Sequence, residues 1–383
     1  MSDIRRNKTL FKWDNFFAGL WPMTAVQAIY FQNITHSYVA AMSVFSVCAL
    51  SQAVLEIPTG IFSDKIGRRQ TLILSASAIL ICLLLWAMAG QFLCVSLLFV
   101  GAVLYGASDA LMSGTLEALM FETMREIGEE KEFKQIYARS RVYNQIGLLL
   151  SILIASAVLY FRSMQFLAWM SVLPMTGQLA VSFFYVNPER EQKAEKHNFK
   201  RAFLSLWKNK KLRRFGAIEI LDSSFGMTIG RFEGVYFENL IAVWAVNLVR
   251  GCKQVSGMVG YMVAVRLKRI KTIRQLLAAV SGSFIFEAAG LLLNRIGTPF
   301  VMAFSCFFSA IAETSKTELL QSEYSSAERA TMGSVLSLIT AVSQAFFCAL
   351  TGFWADCFGV RVALGCVVVA RLTVVFMCCE KRV

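Results

Sequence analysis

The sequence predicts an all-α integral membrane protein with twelve transmembrane helices in two six-helix bundles. The 383 residues are 56% hydrophobic and only 16% charged, and the mean hydropathy is +0.56. A soluble fold of this length cannot bury so much apolar surface. Apolar segments of about 20 residues, the length that crosses a bilayer core of roughly 30 Å, recur along the whole chain. A single long polar stretch, residues 187–214, separates six of these segments from the other six.

The predicted spans follow the apolar segments in chain order, and the ends of spans 7 and 8 are left undetermined. The twelve ranges are 15–33, 39–62, 70–89, 92–114, 142–161, 165–186, 215–235, 251–267, 272–293, 297–314, 331–354 and 358–379. The sequence therefore predicts three domains, namely an N-terminal bundle at 1–186, a cytoplasmic basic linker at 187–214 and a C-terminal bundle at 215–383.

The distribution of positive charge predicts the orientation. Alternate loops and the two termini hold 31 Lys and Arg residues, including Lys316, whereas the opposite loops hold 6. This asymmetry follows the positive-inside rule and predicts a cell (inner) membrane protein with both termini in the cytoplasm. Arg250 and Lys253 fit this topology least well. The net charge of +13 then faces anionic lipid head groups, and nucleic acid is excluded as the partner.

One charged loop interrupts the apolar pattern between spans 2 and 3, in the stretch LEIPTGIFSDKIGRRQTL. It matches the pattern G-x-x-x-D-[RK]-x-G-R-R without a gap. With its cytoplasmic position, the six-plus-six division and the charged linker, this loop resembles the major facilitator superfamily of transporters. The stretch SGTLEALMFETM, from Ser113, resembles the end of helix 4 in a subset of bacterial permeases. The matching residues of the motif are Gly60, Asp64, Lys65, Gly67, Arg68 and Arg69.

The resemblance implies that this loop is a conformational latch between the two bundles. Asp64 would approach the positive N-terminal end of span 11 when the cytoplasmic side is closed, with Ser325 or Ser326 as the helix cap. Gly60 and Gly67 would allow a tight turn and close backbone approach. An ordinary positive-inside loop explains the arginines of the motif but neither its glycines nor its aspartate.

Other features depart from the family pattern. The stretch VRLKRIKTIRQ, between spans 8 and 9, keeps only the positive charge of the motif. The similar stretch GFWADCFGVR, from Gly352, lies between spans 11 and 12 on the predicted outer side, so we do not assign it as a second latch. Span 5 lacks the glycine-proline pattern of drug and proton antiporters, and span 4 lacks their arginine, which counts against drug efflux.

Ionisable residues within the spans are the candidates for proton coupling, because charge in hydrocarbon is costly and usually faces a cavity or a partner. Glu219 and Asp222 share a helix face and would hold one proton unequally if both are buried. Alternatively, Glu56 and Asp109 pair with Arg141 or accept structural hydrogen bonds. The complete set of candidates is Glu56, Asp109, Glu219, Asp222 and Glu287.

Five amides are candidates for lining a central path, although polar packing between helices explains each equally well. They are Gln27, Gln178, Asn144, Gln145 and Gln344.

The sequence thus predicts a monomeric secondary transporter that moves a small organic molecule by alternating access, with H⁺ as coupling ion. Efflux is favoured over uptake by symport or uniport, and a transporter-like sensor or scaffold without flux is a further alternative. The sequence has no P-loop, metal-ligand spacing, nucleophile elbow or His-based triad. We therefore expect no ATP-driven pump, enzyme activity, cofactor or metal.

Overall fold

A computed structural model describes residues 4–188, 209–267, 272–323 and 329–379, and within these ranges the regular elements are all helical. The first eight α-helices are α1 (Asn7–Gly19), α2 (Gln27–Thr35), α3 (Tyr38–Ile66), α4 (Arg68–Phe92), α5 (Val95–Met112), α6 (Thr115–Glu126), α7 (Phe133–Phe161) and α8 (Met164–Phe183). The others are α9 (Lys210–Glu238), α10 (Val243–Arg266), α11 (Thr272–Leu293), α12 (Thr298–Ala303), α13 (Ser305–Glu323), α14 (Arg329–Phe358), α15 (Val360–Ala370) and α16 (Leu372–Cys379).

Helices coincide with all twelve predicted spans, but spans 1, 10 and 12 are each divided. Span 1 consists of α1 and α2, which a short 3-10 turn at Pro22–Ala25 separates. The proline explains the break, because it lacks the N–H that a continuous helix would use. Of the described helices, eight segments are long and apolar enough to cross a membrane by length and composition. The remaining spans are shorter or more polar, as expected for helices that pack mainly against other helices.

The described residues form two compact units. Unit 1 comprises Met1–Thr35 and Val47–Glu195, and unit 2 comprises His36–Ser46 and Lys196–Val383. Helix α3 is therefore shared, because its first residues belong to unit 2 and the rest belongs to unit 1. The sequence did not predict this division of one helix.

Most of the predicted linker lies outside the described residues. At its end, Asn209 caps α9 by accepting hydrogen bonds from the backbone N–H groups of Lys211 and Leu212 at 3.0 and 3.2 Å. The last five linker residues are thus helical, so α9 begins before the predicted start of span 7. The boundaries of the three predicted domains otherwise stay a prediction.

Two glycines allow α1 and α7 of unit 1 to pack at backbone distance. A Cβ added to Gly19 would lie 2.1 Å from the carbonyl oxygen of Asn144, and one added to Gly147 would lie 2.2 Å from that of Phe16. Small residues at such crossings are how membrane helices gain packing without a hydrophobic driving force between them. This contact positions the polar residues of α1 and α7 beside each other.

Candidate functional site

A buried ion network in unit 2 is centred on Asp222 of α9. Its Oδ1 accepts hydrogen bonds from Nε and Nη2 of Arg371 at 3.0 and 2.8 Å. Its Oδ2 lies 2.8 Å from Nζ of Lys316 in α13. Both carboxylate oxygens therefore face a cation, and all three side chains are at most 5% exposed.

Arg371, at the junction of α15 and α16, bridges two carboxylates. Besides its bonds to Asp222, it donates a hydrogen bond from Nη1 to Oε1 of Glu287 in α11 at 2.7 Å. The planar guanidinium fork suits such bridging because its donors point in fixed, different directions. Oε2 of Glu287 is buried and has no hydrogen-bond partner among the described residues. The network thus contains a carboxylate that is only half satisfied.

Lys316 is surrounded by three carboxylates. Its Nζ lies 2.8 Å from Asp222, 3.1 Å from Glu313 and 3.3 Å from Oε2 of Glu219. The Glu219 contact lacks hydrogen-bond geometry, and that oxygen has no other hydrogen-bond partner among the described residues. Oε1 of Glu219 accepts a hydrogen bond from Ser223 at 2.8 Å. Glu219 is therefore the most weakly held of the three acids by this measure of distance and geometry.

Helical spacing explains how the local sequence builds the network. Glu219, Asp222 and Ser223 are three and four residues apart, so they share one face of α9. Glu313 and Lys316 have the same spacing on α13. The sequence analysis named Glu219, Asp222 and Glu287 as candidates, but it did not name Glu313 and did not assign the acids their cations.

The number of charges in this network is unbalanced. Three largely buried carboxylates, those of Glu219, Asp222 and Glu287, face two buried cations, Lys316 and Arg371. Glu313 is 46% exposed and is therefore not counted among the buried charges. An uncompensated charge in a low-dielectric region is costly. One bound proton or one bound cation would balance the buried part of the network.

The structure changes the interpretation of two lysines in the predicted charge distribution. Lys316, which the sequence analysis counted among the inner loops, is buried in α13 and 3% exposed. Lys253, which fitted the topology poorly, lies in α10 and forms a largely buried ion pair with Glu233 of α9. Both residues are internal partners of acids in unit 2, and neither marks a side of the membrane.

Unit 1 contains a polar cavity of about 480 Å³. Two predicted residues, Asp109 and Asn144, line it, and Asp109 shares it with its proposed partner Arg141. The lining contains three acids and one base, so the cavity is chemically suited to a polar molecule that carries positive charge. The lining residues are Asp14, Asn15, Ala18, Gln52, Asp109, Met112, Ser113, Gly114, Leu116, Glu117, Met120, Tyr137, Ser140, Arg141 and Asn144.

Asp14 is a buried acid at this cavity that the sequence analysis missed. Its Oδ1 accepts a hydrogen bond from Nε2 of Gln178, and its Oδ2 accepts one from the hydroxyl of Tyr185, each at 2.9 Å. It was overlooked because predicted span 1 began one residue later. Asn7, Phe11 and Asp14 have helical spacing and are all buried on one face of α1, so continuing the helical periodicity upstream of residue 15 would have placed Asp14 within the span.

The other predicted path residues have mixed environments. Nδ2 of Asn144 donates to the carbonyl oxygen of Asn15 at 3.0 Å, which joins α7 to α1. Gln27 in unit 1 and Gln344 in unit 2 are both buried. The remaining predicted residues, Gln145 and Glu56 in unit 1, are partly buried.

The charged motif forms the turn between α3 and α4. Gly67 links the two helices with φ of 108° and ψ of 151°, a conformation that side chains disfavour. Arg68 lies 3.3 Å from Glu122 and donates to Ser63 at 3.0 Å. Arg69 donates to the carbonyl oxygen of Phe183 at the end of α8 at 2.8 Å. These contacts fix the turn within unit 1.

The remaining motif residues are only partly described. Lys65 is exposed. The environments of Gly60 and the Asp64 side chain lie outside the described residues, as do Ser325 and Ser326. The latch between Asp64 and span 11 therefore stays a prediction.

These helices define an all-α, multi-pass membrane protein. Residues 15–346 match the family model of the Major Facilitator Superfamily. Because the match covers most of the chain, the chain belongs to the major facilitator superfamily. It is accordingly a secondary transporter of small molecules and not an enzyme.

Solved structures show the same fold over the full length. The nucleoside transporter NupG has 13% sequence identity and a TM-score of 0.80, with 100% of both chains covered. A POT family transporter in complex with 5-aminolevulinic acid has 14% identity and a TM-score of 0.72, with 98% of this chain and 94% of that chain covered. At these identities the likeness concerns the fold alone. No curated protein sequence matches the chain.

A third similar structure is a bacterial homologue of the human lysosomal transporter Spinster in an inward-facing, unoccupied conformation. It has 12% identity and a TM-score of 0.73, with 98% of this chain and 95% of that chain covered.

Proposed function

We propose that this transporter is proton-coupled, that the ion network around Asp222 is its coupling site, and that it exports a small organic molecule in exchange for protons. The observation that carries the proposal is the unbalanced count of three largely buried carboxylates against two buried cations. A single proton would neutralise the excess charge. Binding and release of that proton would change the charge balance between α9 and α13.

Within the network, Glu219 is the proposed proton acceptor and Asp222 the fixed anion. Asp222 contacts both cations at 2.8 Å, and these contacts favour its charged form. Glu219 is 21% exposed and has the longest contact to Lys316. Protonation of Glu219 would leave Lys316 with Asp222 and Glu313, and would weaken one connection between α9 and α13.

Exchange is the proposed direction of coupling because a proton and a cationic substrate would neutralise the same excess charge. Because the proton and the cationic substrate would compensate the same charge, binding of one would disfavour binding of the other. This mutual exclusion is the basis of antiport. The acidic lining of the separate cavity in unit 1 supports only the positive charge of the substrate; the competition with the proton is proposed for the network in unit 2. An inward proton gradient would then drive export, whereas symport would require both species to bind together.

The second part of the proposal is that the motif between α3 and α4 is a conformational latch. The described geometry of Gly67, Arg68 and Arg69 supports a rigid turn. A rigid turn would hold Asp64 in one orientation, where its charge could favour one access state. Lys65 is exposed, and in the predicted orientation it would be able to contact anionic head groups.

The test begins with a screen of small organic amines and quaternary ammonium compounds for thermal stabilisation of the purified protein. A stabilising compound is then loaded into proteoliposomes that have an acidic exterior. We expect its release to accelerate with the proton gradient, to be accompanied by internal acidification, and to lose this acceleration when a protonophore is added. If the rate of release did not depend on the proton gradient, the protein would be a uniporter. Stabilisation without flux of any compound would favour a sensor.

A further inference from the structure

The turn between α14 and α15 repeats the turn between α3 and α4. The stretch GFWADCFGVR, at 352–361, shares with GIFSDKIGRR, at 60–69, a glycine at the first position, an aspartate at the fifth, a glycine at the eighth and an arginine at the tenth. The eighth residues have nearly the same backbone, with φ and ψ of 108° and 151° at Gly67 and of 86° and 158° at Gly359. The sequence pattern therefore produces the same turn in both units.

The arginines at the tenth position also make equivalent contacts. Nη2 of Arg69 donates to the carbonyl oxygen of Phe183, the last residue of α8, at 2.8 Å. Nη2 of Arg361 donates to the carbonyl oxygen of Leu291, two residues before the end of α11, at 2.7 Å. A cation at the C-terminal end of a helix is favourable because the unpaired carbonyls there carry partial negative charge. The likeness thus extends from the backbone to the side-chain chemistry.

Asp356, at the fifth position of the second turn, caps the start of α3. Its Oδ1 accepts a hydrogen bond from the backbone N–H of Tyr38 at 2.8 Å. Its Oδ2 accepts one from the hydroxyl of Ser37 at 2.8 Å and one from the backbone N–H of Val39 at 3.0 Å. One carboxylate therefore satisfies three donors at a helix N-terminus, where the helix dipole also favours negative charge.

Gly352, at the first position of the turn, makes this capping contact sterically possible. A Cβ added there would lie 2.5 Å from the carbonyl oxygen of Tyr38 and 2.6 Å from Cα of Val39. Further along α3, the hydroxyl of Ser46 donates to the carbonyl oxygen of Ala345 at 2.7 Å. Hydrogen bonds therefore hold both ends of the α3 segment 37–46 on α14 within unit 2.

We propose that Asp356 is a second conformational latch, which holds the start of α3 on α14 in one access state and releases it in the other. The next residue of α3 after Ser46 belongs to unit 1, so one continuous helix leads from the held segment into the other unit. The predicted orientation puts Asp356 on the outer side. Asp64 lies at the opposite end of the same helix, about 40 Å away, so the two latches would favour opposite access states.

The test measures access from the cytoplasm and needs neither substrate nor a proton gradient, so its outcome is independent of the proposed coupling. Ser334→Cys, near the start of α14, is introduced after the native cysteines have been replaced. Its rate of labelling by a membrane-impermeant maleimide is measured in inside-out vesicles. We expect Asp356→Asn to lower this rate about threefold to tenfold, the population shift that loss of one helix-dipole contact would produce.

Two further variants make the expectation specific. Asp64→Asn should raise the labelling rate, and the double variant should return it toward the parent value because the two losses oppose each other. Glu238→Gln is the matched control, since Glu238 also acts electrostatically on Tyr38 but accepts none of the three capping hydrogen bonds. It should leave the labelling rate close to the parent value.

Gly352→Ala tests the same contact between α14 and the start of α3 without changing any charge. It should separate α14 from the start of α3 and lower the labelling rate as Asp356→Asn does, which keeps the proposal testable if Asp356→Asn fails to fold. An unchanged or increased labelling rate in a folded Asp356→Asn or Gly352→Ala variant would overturn the proposal. A similar fall in the Glu238→Gln control would also overturn it, because the effect would then arise from charge in general.

Discussion

Nζ of Lys316 lies 2.8 Å from Oδ2 of Asp222, and the opposite oxygen of the same carboxylate accepts two hydrogen bonds from Arg371. An aspartate that is held by two cations is a poor proton acceptor, because protonation would remove an attraction on both sides. Within the predicted pair, which the sequence left unassigned, this arrangement favours Glu219 over Asp222 for the proposed proton-binding role. It also makes the network sensitive to the loss of any one charge.

The first prediction concerns Glu219→Gln. This variant should abolish proton-driven transport and retain most counterflow exchange, because exchange of substrate for substrate requires no net proton movement. Both activities are measured in proteoliposomes with the compound that the stabilisation screen identifies. The neutral amide would imitate the protonated acid permanently, so the charge of the network would no longer change during the cycle.

Glu313→Gln is the control for that experiment. Glu313 also contacts Lys316, at 3.1 Å, but it is 46% exposed. Its removal should reduce proton-driven transport by no more than about fivefold, because an exposed ion pair is worth at most about 1 kcal/mol. If Glu219→Gln retained proton-driven transport, this residue would not be the coupling group, and loss of exchange as well would indicate a role in binding or folding.

The second prediction concerns the stability of the network. Arg371→Gln should lower the thermal unfolding temperature of the purified protein strongly, because it leaves Glu287 as a buried carboxylate with its hydrogen-bonding cation removed. Loss of one partner from a buried pair typically costs about 3–5 kcal/mol. Adding Glu287→Gln to Arg371→Gln should recover part of the lost stability, since the uncompensated charge is then removed.

That recovery is the discriminating result. If the double variant unfolded at a lower temperature than Arg371→Gln alone, the two side chains would contribute through packing and not through their charges. Glu287→Gln alone should be the milder single variant, because Arg371 would keep its bonds to Asp222.

The third prediction concerns the proposed latch at Asp64. Asp64→Asn should slow transport while the protein still reaches the membrane, since it removes a helix-dipole attraction of about 0.3–1 kcal/mol, or up to about 2 kcal/mol when partly buried. A change of about 1.4 kcal/mol would shift the two access states tenfold. If Ser334→Cys were labelled equally with and without Asp64→Asn and transport were normal, the motif would not act as a latch. Its charges would then only mark the cytoplasmic side of the membrane.

The fourth prediction concerns the packing of α1 on α7. Gly147→Ala should lower the unfolding temperature, because the added Cβ would meet the backbone oxygen of Phe16 at 2.2 Å and overpacking costs about 1–3 kcal/mol. Gly226→Ala in α9 is the matched control, since nothing lies within 4 Å of its added Cβ. It should stabilise the helix by about 0.5–1 kcal/mol, so the two substitutions should shift the unfolding temperature in opposite directions.

The helices themselves were largely predictable from the sequence. Hydrocarbon forces a spanning chain to satisfy its backbone hydrogen bonds internally, so long apolar segments become helices wherever they occur. The division of span 1 at Pro22 was missed, although proline is a known helix breaker. The hydropathy of the whole segment outweighed that local signal.

The sequence predicted some residues of the candidate site and missed others. Glu219, Asp222 and Glu287 were named as candidates because charge stands out in an apolar segment, whereas Glu313 was not. Lys316 was misassigned to a loop because a lysine near the predicted end of a span resembles a cytoplasmic anchor. Asp14 was missed for a different reason, since only ionisable residues within the predicted spans were considered and Asp14 lies one residue before the predicted start of span 1.

By itself, the sequence determined the class of protein, because composition, helical periodicity and the charged motif are local properties that require no knowledge of contacts. Tertiary structure alone decided which charges are partners. Glu287 and Arg371 are 84 residues apart in the chain, and no periodicity relates residues on different helices. The same holds for Asp356 and the start of α3, since the pattern in GFWADCFGVR marks a turn but nothing in either segment identifies the other as its partner.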